Sequence, residues 1–365
     1  MKIECLVERL KEAVQQVERI TGKNLTLPVL NSILIIASGK TLKFRATNLD
    51  LGIEIEIPAR IEKEGLVLVP GGILNMVVST LYDSKNITLE KVNQNLHLTT
   101  TKNNITIKTY PEDDFPTIPV IKGETFVFDM EKIIGALKSV SYSASFSDIK
   151  PEISSVYVYE HNNDLVFVAT DSFRLAEKRI KIKKPQALTG VLVPIKNVVE
   201  IIRVFNGLEG EAIISVSKNQ ISFSYQNIYL TSRLIDGVFP DYNQIIPKEH
   251  KTEAVILRQD ILGALKTGAV FSGKFNEVGI MISPKQKTFE VRTKHQETGE
   301  STTKINGAVS GEEIEVNFNH KYIFDSFQSI ADDSVIFSFS GAGRPLTIRG
   351  AGDKSFLYLV MPMNR

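Results

Sequence analysis

Residues 32–47 read SILIIASGKTLKFRAT, and residues 155–170 read SVYVYEHNNDLVFVAT. Each is an apolar strand, a polar turn and a second strand that closes on a threonine, Thr47 or Thr170. A weaker copy, VGIMISPKQKTFEVRT at 278–293, closes on Thr293, so the three threonines stand at equal steps of 123 residues. A second landmark is a strand running into a helix: LVLVPGGILNMVVSTL, GVLVPIKNVVEIIRVF and IEVNFNHKYIFDSFQSI align Val69, Val193 and Asn317 at steps of 124. Pro70 and Pro194 are expected at the first helical position, where proline's fixed φ and missing N–H cost little. The third landmark is a strand ending at a proline: Phe115-Pro116, Phe239-Pro240 and Met361-Pro362. Three landmarks at one spacing and in one order make a threefold internal repeat. The period is far too long for a solenoid unit. Each copy therefore reads as a domain, 1–122, 123–251 and 252–365, with boundaries in the linker-like DFPTIPVIKGE and PKEHKTE.

Each unit begins with a short strand and a helix. The helices of the second and third units share Gly-Ala-Leu-Lys at 135–138 and 263–266. A hairpin, further strands, a second helix and a closing hairpin follow. Segments such as Thr41-Leu42-Lys43-Phe44-Arg45 alternate apolar and polar residues, which marks strands with one buried face. The predicted class is α+β, with three repeated domains of two helices packed on antiparallel sheet. Three like domains in one chain suit a ring: a head-to-tail contact whose rotation closes would make each chain half of it.

Composition narrows the function. The chain has 365 residues, 43 Lys plus Arg against 42 Asp plus Glu, and a net charge of +1. It does not coat nucleic acid by bulk charge, though separated charged surfaces remain open to it. The single cysteine, Cys5, makes neither an internal disulfide nor a cysteine-based zinc site. No stretch approaches the ~20 apolar residues of a membrane span. Glu4 stands where a signal peptide would start its apolar run, so a cytoplasmic protein is expected. No phosphate-binding GxxxxGK[ST] loop, HExxH pair or G-x-S-x-G elbow occurs. Gly341-Ala-Gly343 and Gly350-Ala-Gly352 read as turns. The five histidines (His97, His161, His250, His295, His320) read as exposed turn residues. Asp113-Asp114 and Asp332-Asp333 read as turn carboxylates. No convergent titratable set emerges, so no catalytic residue and no metal site are nominated.

At Ala169-Thr170-Asp171-Ser172-Phe173-Arg174-Leu175-Ala176 the chain resembles the bacterial DNA polymerase III beta subunit family, the beta sliding clamps. Thr26-Leu27-Pro28-Val29-Leu30, Asp236-Gly237-Val238-Phe239-Pro240-Asp241-Tyr242 and the ending Val360-Met361-Pro362-Met363 extend the likeness in family order over the whole chain. The resemblance implies a head-to-tail homodimeric ring that encircles double-stranded DNA, slides on it and tethers the replicative polymerase. It implies no catalysis and no cofactor. The implied partners are the polymerase III alpha subunit, the clamp-loader delta subunit, and other polymerases and repair proteins carrying clamp-binding peptides. A slider holds DNA through sequence-blind backbone contacts, because base-edge readout would arrest it.

Carried over position by position, the partner-peptide pocket comprises Ile153, Thr170, Ser172, Phe173, Arg174, Leu175, Pro240, Gln244, Ile245, Leu359, Val360, Met361, Pro362 and Met363. It is an apolar cleft with few polar groups, and methionine suits a site serving several partners. Ser172-Phe173 replaces the common Gly-His, and Gln244 stands where a basic residue is frequent. The DNA-facing candidates are Lys23 and Asn24 in a loop, with Lys11, Lys132, Lys138, Lys196, Arg203, Arg258, Lys266 and Lys321 on predicted helices. Gly71-Gly72-Ile73-Leu74-Asn75 departs from the family, which often carries basic residues there. Ile105, and Val270-Phe271 on a third-domain helix, match the dimer interface. Two other readings stay open: a ring that binds peptides without threading DNA, which the weak basicity of the helices favours, and a nucleotide hydrolase, which the missing phosphate loop disfavours.

Overall fold

The computed structural model describes residues 1–22, 27–82, 84–112, 114–147, 149–182 and 188–363. Its helices are α1 (Val7–Glu18), α2 (Gly71–Ser79), α3 (Met130–Ser141), α4 (Ile195–Phe205), α5 (Arg258–Ala269) and α6 (His320–Ser326), two to each sequence repeat. In α1 the apolar residues Val7, Leu10, Ala13, Val14 and Val17 recur at three- and four-residue steps, and all are buried. The α1 start has no side-chain cap, and the Val7 N–H donates instead to the Lys85 carbonyl at 3.0 Å. By contrast, α6 is capped by Asn319, whose side chain accepts from the Lys321 N–H at 3.0 Å.

Pro70 and Pro194 do not open their helices. They end the strands Gly65–Pro70 and Val191–Pro194, and the helices begin one residue later. Both strands lie at sheet edges, where a residue without an N–H leaves no ladder bond unmade. Pro70, at φ −56° and ψ 117°, then turns the chain into α2.

The described residues form two compact units, 1–133 with 199–234, and 134–198 with 235–365. The first holds two antiparallel sheets. One has strand order Arg60–Lys63, Lys2–Leu6, Asn86–Val92, Asn95–Thr99, Asn104–Lys108. The other runs Glu124–Asp129, Glu211–Val216, Gln220–Tyr225, Ile228–Arg233, Leu51–Pro58, Thr41–Thr47, Ser32–Ser38, Gly65–Pro70. The second unit holds a nine-stranded sheet: Val191–Pro194, Ser155–His161, Asp164–Thr170, Arg174–Lys181, Phe356–Val360, Leu346–Gly350, Ser334–Phe339, Thr252–Leu257, Gly307–Gly311. Its four-stranded sheet runs Gly299–Ile305, Thr288–His295, Glu277–Ser283, Ile314–Asn319.

These sheets cross the repeats. Strand 228–233 of the middle repeat pairs with strand 51–58 of the first, Leu230 opposite Ile53. Strand 174–181 of the middle repeat pairs with strand 356–360 of the last, Leu175 opposite Leu359. An unpaired strand edge exposes a row of N–H and C=O groups, and each repeat covers its neighbour's. The compact units therefore cut through the middle repeat.

Other local expectations change. Phe115-Pro116 and Phe239-Pro240 end no strand. They lie in irregular segments anchored by single bridges, Tyr110 to Leu68 and Ile235 to Leu192. Of the histidines, His97, His161 and His295 lie on strands and buried His320 opens α6, so only His250 lies outside a regular element. The His320 backbone N–H donates to the Asn276 carbonyl at 2.7 Å, and the ring Nδ1 lies 3.3 Å from the same oxygen. Asp113 lies outside the described residues.

Candidate functional site

The threonines that close the first two hairpins each build a turn, whereas the buried Thr293 hydroxyl of the third has no hydrogen-bond partner among the described residues. Thr170 Oγ1 donates to the Arg174 carbonyl at 2.7 Å and accepts from the Ser172 N–H at 3.1 Å. Asp171 Oδ1 accepts from the N–H groups of Phe173 (2.9 Å) and Arg174 (3.0 Å). In the first repeat, Thr47 Oγ1 donates to the Leu51 carbonyl at 2.9 Å and accepts from the Leu49 N–H at 3.0 Å. Asn48 Oδ1 there takes the N–H groups of Asp50 (3.0 Å) and Leu51 (2.7 Å). Every partner is displaced by 123 residues. Even the left-handed residue repeats, Leu49 at φ 78° and Ser172 at φ 77°. An Asx side chain bonding the backbone two and three residues on makes such a turn self-sufficient.

In the second unit this turn adjoins the chain's C-terminal strand. Arg174 pairs with Val360 and Leu175 with Leu359, and the Met361 N–H donates to the Phe173 carbonyl at 2.8 Å. Leu175, Leu359 and Val360 are buried, as are Thr170 and Ile153. Phe173 (60% exposed), Ile245 (45%) and Met361 (37%) stand open above that floor. Pro362 and Met363 are half-buried, and the Met363 N–H donates to the Asn317 carbonyl at 2.8 Å. Pro240 and Gln244 are exposed, and Gln244 Nε2 donates to Asp241 Oδ2 at 2.9 Å.

The wall 236–246 is fastened from below. Tyr242 is buried, donates its hydroxyl to Glu177 Oε2 at 2.5 Å and meets the Tyr159 hydroxyl at 2.6 Å. Phe239 stacks on Tyr157 with ring centroids 5.0 Å apart. Phe239, Tyr242, Leu175 and Leu359 belong to one core cluster. Burial, and then the facing Glu177 carboxylate, push the Tyr242 hydroxyl far above its ordinary pKa, so it remains a donor. Arg174 is held tightly as well. Its guanidinium meets Asp171 at 3.0 Å and Asp325 at 2.5 Å, and lies 4.6 Å from the Tyr322 ring centroid. Arg174 thus ties the turn to Asp325 of the last repeat. Tyr242 belongs to the Asp236–Tyr242 stretch that carries the family likeness, whereas Glu177, Asp325 and Tyr322 carry no sequence signal.

The basic candidates separate. Lys132, Lys138, Lys196, Lys266 and Lys321 are exposed on their helices. Arg203 is exposed and pairs with Glu200 one turn away at 2.6 Å. Half-buried Lys11 places Nζ 4.9 Å from the Tyr82 ring centroid. Arg258 is also half-buried and donates to the Phe327 carbonyl at 3.0 Å. No charged side chain occurs in α2, where Ile73 and Met76 are 46% and 65% exposed. Lys23 and Asn24 lie outside the described residues.

Ile105 lies on Asn104–Lys108, the last strand of its sheet. Val270 and Phe271 lie just past the end of α5 rather than on it, with Val270 as its C-cap. Gly263 and Gly268 weaken the last turns of that helix. Val270 is 68% exposed, and Phe271 approaches Gly299, the first residue of edge strand Gly299–Ile305.

Among the described residues, no three His, Cys, Asp or Glu side chains gather as metal ligands, and no helix is long and apolar enough to cross a membrane. Residues 1–119, 128–241 and 243–364 match the family models of the DNA polymerase III beta subunit N-terminal, central and C-terminal domains. The beta sliding clamp of Bacillus subtilis is 26% identical over 377 residues, spanning 100% of this chain and 99% of that protein. That of Synechococcus elongatus is 25% identical, with 100% and 99% spanned. The crystal structure of the Bacillus subtilis DNA polymerase sliding clamp agrees in fold with a TM-score of 0.96 at 25% identity, covering 100% of this chain and 99% of that one. A Pseudomonas aeruginosa sliding clamp bound to griselimycin gives 0.95 at 24%, with both chains fully covered. The chain belongs to the DNA polymerase III beta subunit family, the beta sliding clamps.

Proposed function

We propose that two copies of this chain close head to tail around duplex DNA and tether the replicative polymerase during DNA replication. The observation that carries the reading is the match of the three family domains along the chain, supported by exposed Phe173, Ile245 and Met361 beside the buried Leu175 and Leu359. The domains are those of the repeat, 1–122, 123–251 and 252–365. Each compact unit has an open strand edge, Asn104–Lys108 in the first and Gly299–Ile305 in the second, and these suit a head-to-tail seam with Ile105, Val270 and Phe271. Lys132, Lys138, Lys196, Lys266 and Lys321 supply diffuse positive charge to phosphate, Lys11, Arg203 and Arg258 contribute less because each is engaged within the chain, and Lys23 with the uncharged Asn24 completes the DNA-facing set. Such contacts lack base readout and leave the ring able to slide.

The protein acts without catalysis of its own, in the cytoplasm. Its cleft at Phe173, Ile245 and Met361, with the pocket residues around them, takes the apolar end of partner peptides. The partners so tethered are the polymerase III alpha subunit, the clamp-loader delta subunit, and other polymerases and repair proteins. The test is topological. Loaded on nicked circular plasmid, the protein is expected to stay bound through gel filtration, and to be lost when the plasmid is linearised. Equal retention on both forms would overturn encirclement.

A further inference from the structure

The first unit carries a second copy of the turn that frames the peptide cleft, and a cavity of about 260 Å³ opens beside it. The cavity is lined by that turn, by the 116–119 segment and by strand 228–233. Those parts stand in the relation of turn 170–174, wall 240–243 and strand 356–360 in the second unit. Strand 51–58 meets 228–233 just as 174–181 meets 356–360: Gly52 faces Thr231, and Leu175 faces Leu359.

The chemistry of the copy differs. Gly52 and Thr231 replace the two leucines of the floor, and Arg233 takes the position of Met361. A Cβ on Gly52 would lie 3.2 Å from the Ile118 and Thr231 methyls, so Ile118 already fills part of the floor. The wall is fixed, because the Tyr229 hydroxyl donates to the Pro119 carbonyl at 2.9 Å and accepts from the Ile121 N–H at 3.1 Å. At the mouth, Leu49 is 45% exposed, and Arg233 faces Asp50 across 3.8 Å with both side chains more than half exposed. A pair that exposed is weak, so Arg233 can turn to another carboxylate at little cost.

We propose that this cleft is a second docking site, for an extended acidic peptide that inserts one apolar side chain against Leu49, Pro116 and Ile118 and places a carboxylate on Arg233. The volume falls just below the ~300–1,000 Å³ of sites that enclose a whole small ligand, which suits one or two side chains rather than a longer motif. The inference rests on the reading that the matching cleft of the second unit docks peptides.

Methyl-labelled full-length protein, titrated with acetyl-Leu-Asp-amide, tests it. Saturable shifts of the Leu49 and Ile118 methyls are expected, with affinity lowered tenfold or more by Arg233→Glu, an exposed change, and untouched by Met361→Ala. Absence of those shifts at ~10 mM peptide, near the weak limit of measurable binding, overturns the second site. Shifts confined to Met361 overturn it too, as does an affinity indifferent to Arg233→Glu. A parallel titration with a longer peptide of one glutamine and two terminal hydrophobic residues, read at Met361, tests the first cleft separately. Failure there alone would strike the proposed function and leave the Leu49 and Ile118 result to stand on its own.

Discussion

Ser172 occupies the left-handed position of a turn whose other hydrogen bonds are all made, at φ 77°. A Cβ is disfavoured there, and a branched one more so. Ser172→Val is expected to lower the unfolding free energy by about 1–2 kcal/mol in urea titrations, whereas Ser172→Gly holds or raises it. The opposite order would show that the turn is not what constrains this residue. Cys5 makes a second residue-scale case. Burial pushes its thiol from the ordinary 9.0 up to about 12. The native thiol therefore stays protonated at pH 8 and is expected to resist an aromatic disulfide reagent until urea unfolds the chain. The sign with pH follows: the unfolded thiol ionises first, so this group's contribution is complete below about 9 and is lost as pH rises toward 12. Rapid labelling of the native protein would contradict the burial. Of these features, the turn's threonines are legible in the repeats and Asp171 in the family motif, whereas Asn48 falls one residue past the repeated stretch. The left-handed backbone at Ser172 is not legible, because serine does not advertise it.

Among the elements, the wall 236–246 is held by one buried tyrosine. Tyr242→Phe removes the donor to Glu177 and leaves a buried carboxylate short of a partner, at a cost of about 1–3 kcal/mol. It also frees the Pro240–Ile245 edge of the cleft. Binding of a labelled partner peptide, followed by anisotropy, is expected to weaken severalfold while the circular dichroism spectrum is unchanged. Full-strength binding would show that the wall needs no such fastening. Helices were readable here because their apolar spacing is local, as in α1. The starts of α2 and α4 fall one residue later than the sequence predicts, because a proline that opens a helix and one that closes an edge strand look alike in sequence. What distinguishes them is the strand alongside, Ser32 opposite Pro70 and Ser155 opposite Pro194.

At the scale of the whole molecule, the repeat makes a prediction about assembly. Phe271→Asp is expected to convert the dimer to monomers in sedimentation velocity at low micromolar concentration, since it places a charge beside the open edge strand at Gly299. A persistent dimer would move the seam elsewhere. By itself, the order of residues determined the threefold repeat, the α+β class, the absence of a recognisable catalytic motif and the family likeness, because equal spacings and local periodicities are properties of one dimension. Only the tertiary structure decided that the middle repeat divides its strands between two sheets, that Arg174 reaches Asp325 as well as its neighbour Asp171, and that a cavity opens between Leu49 and Thr231. Those outcomes depend on strand edges and side chains more than a hundred residues apart finding one another, and no local pattern encodes which partner completes a ladder or neutralises a buried charge.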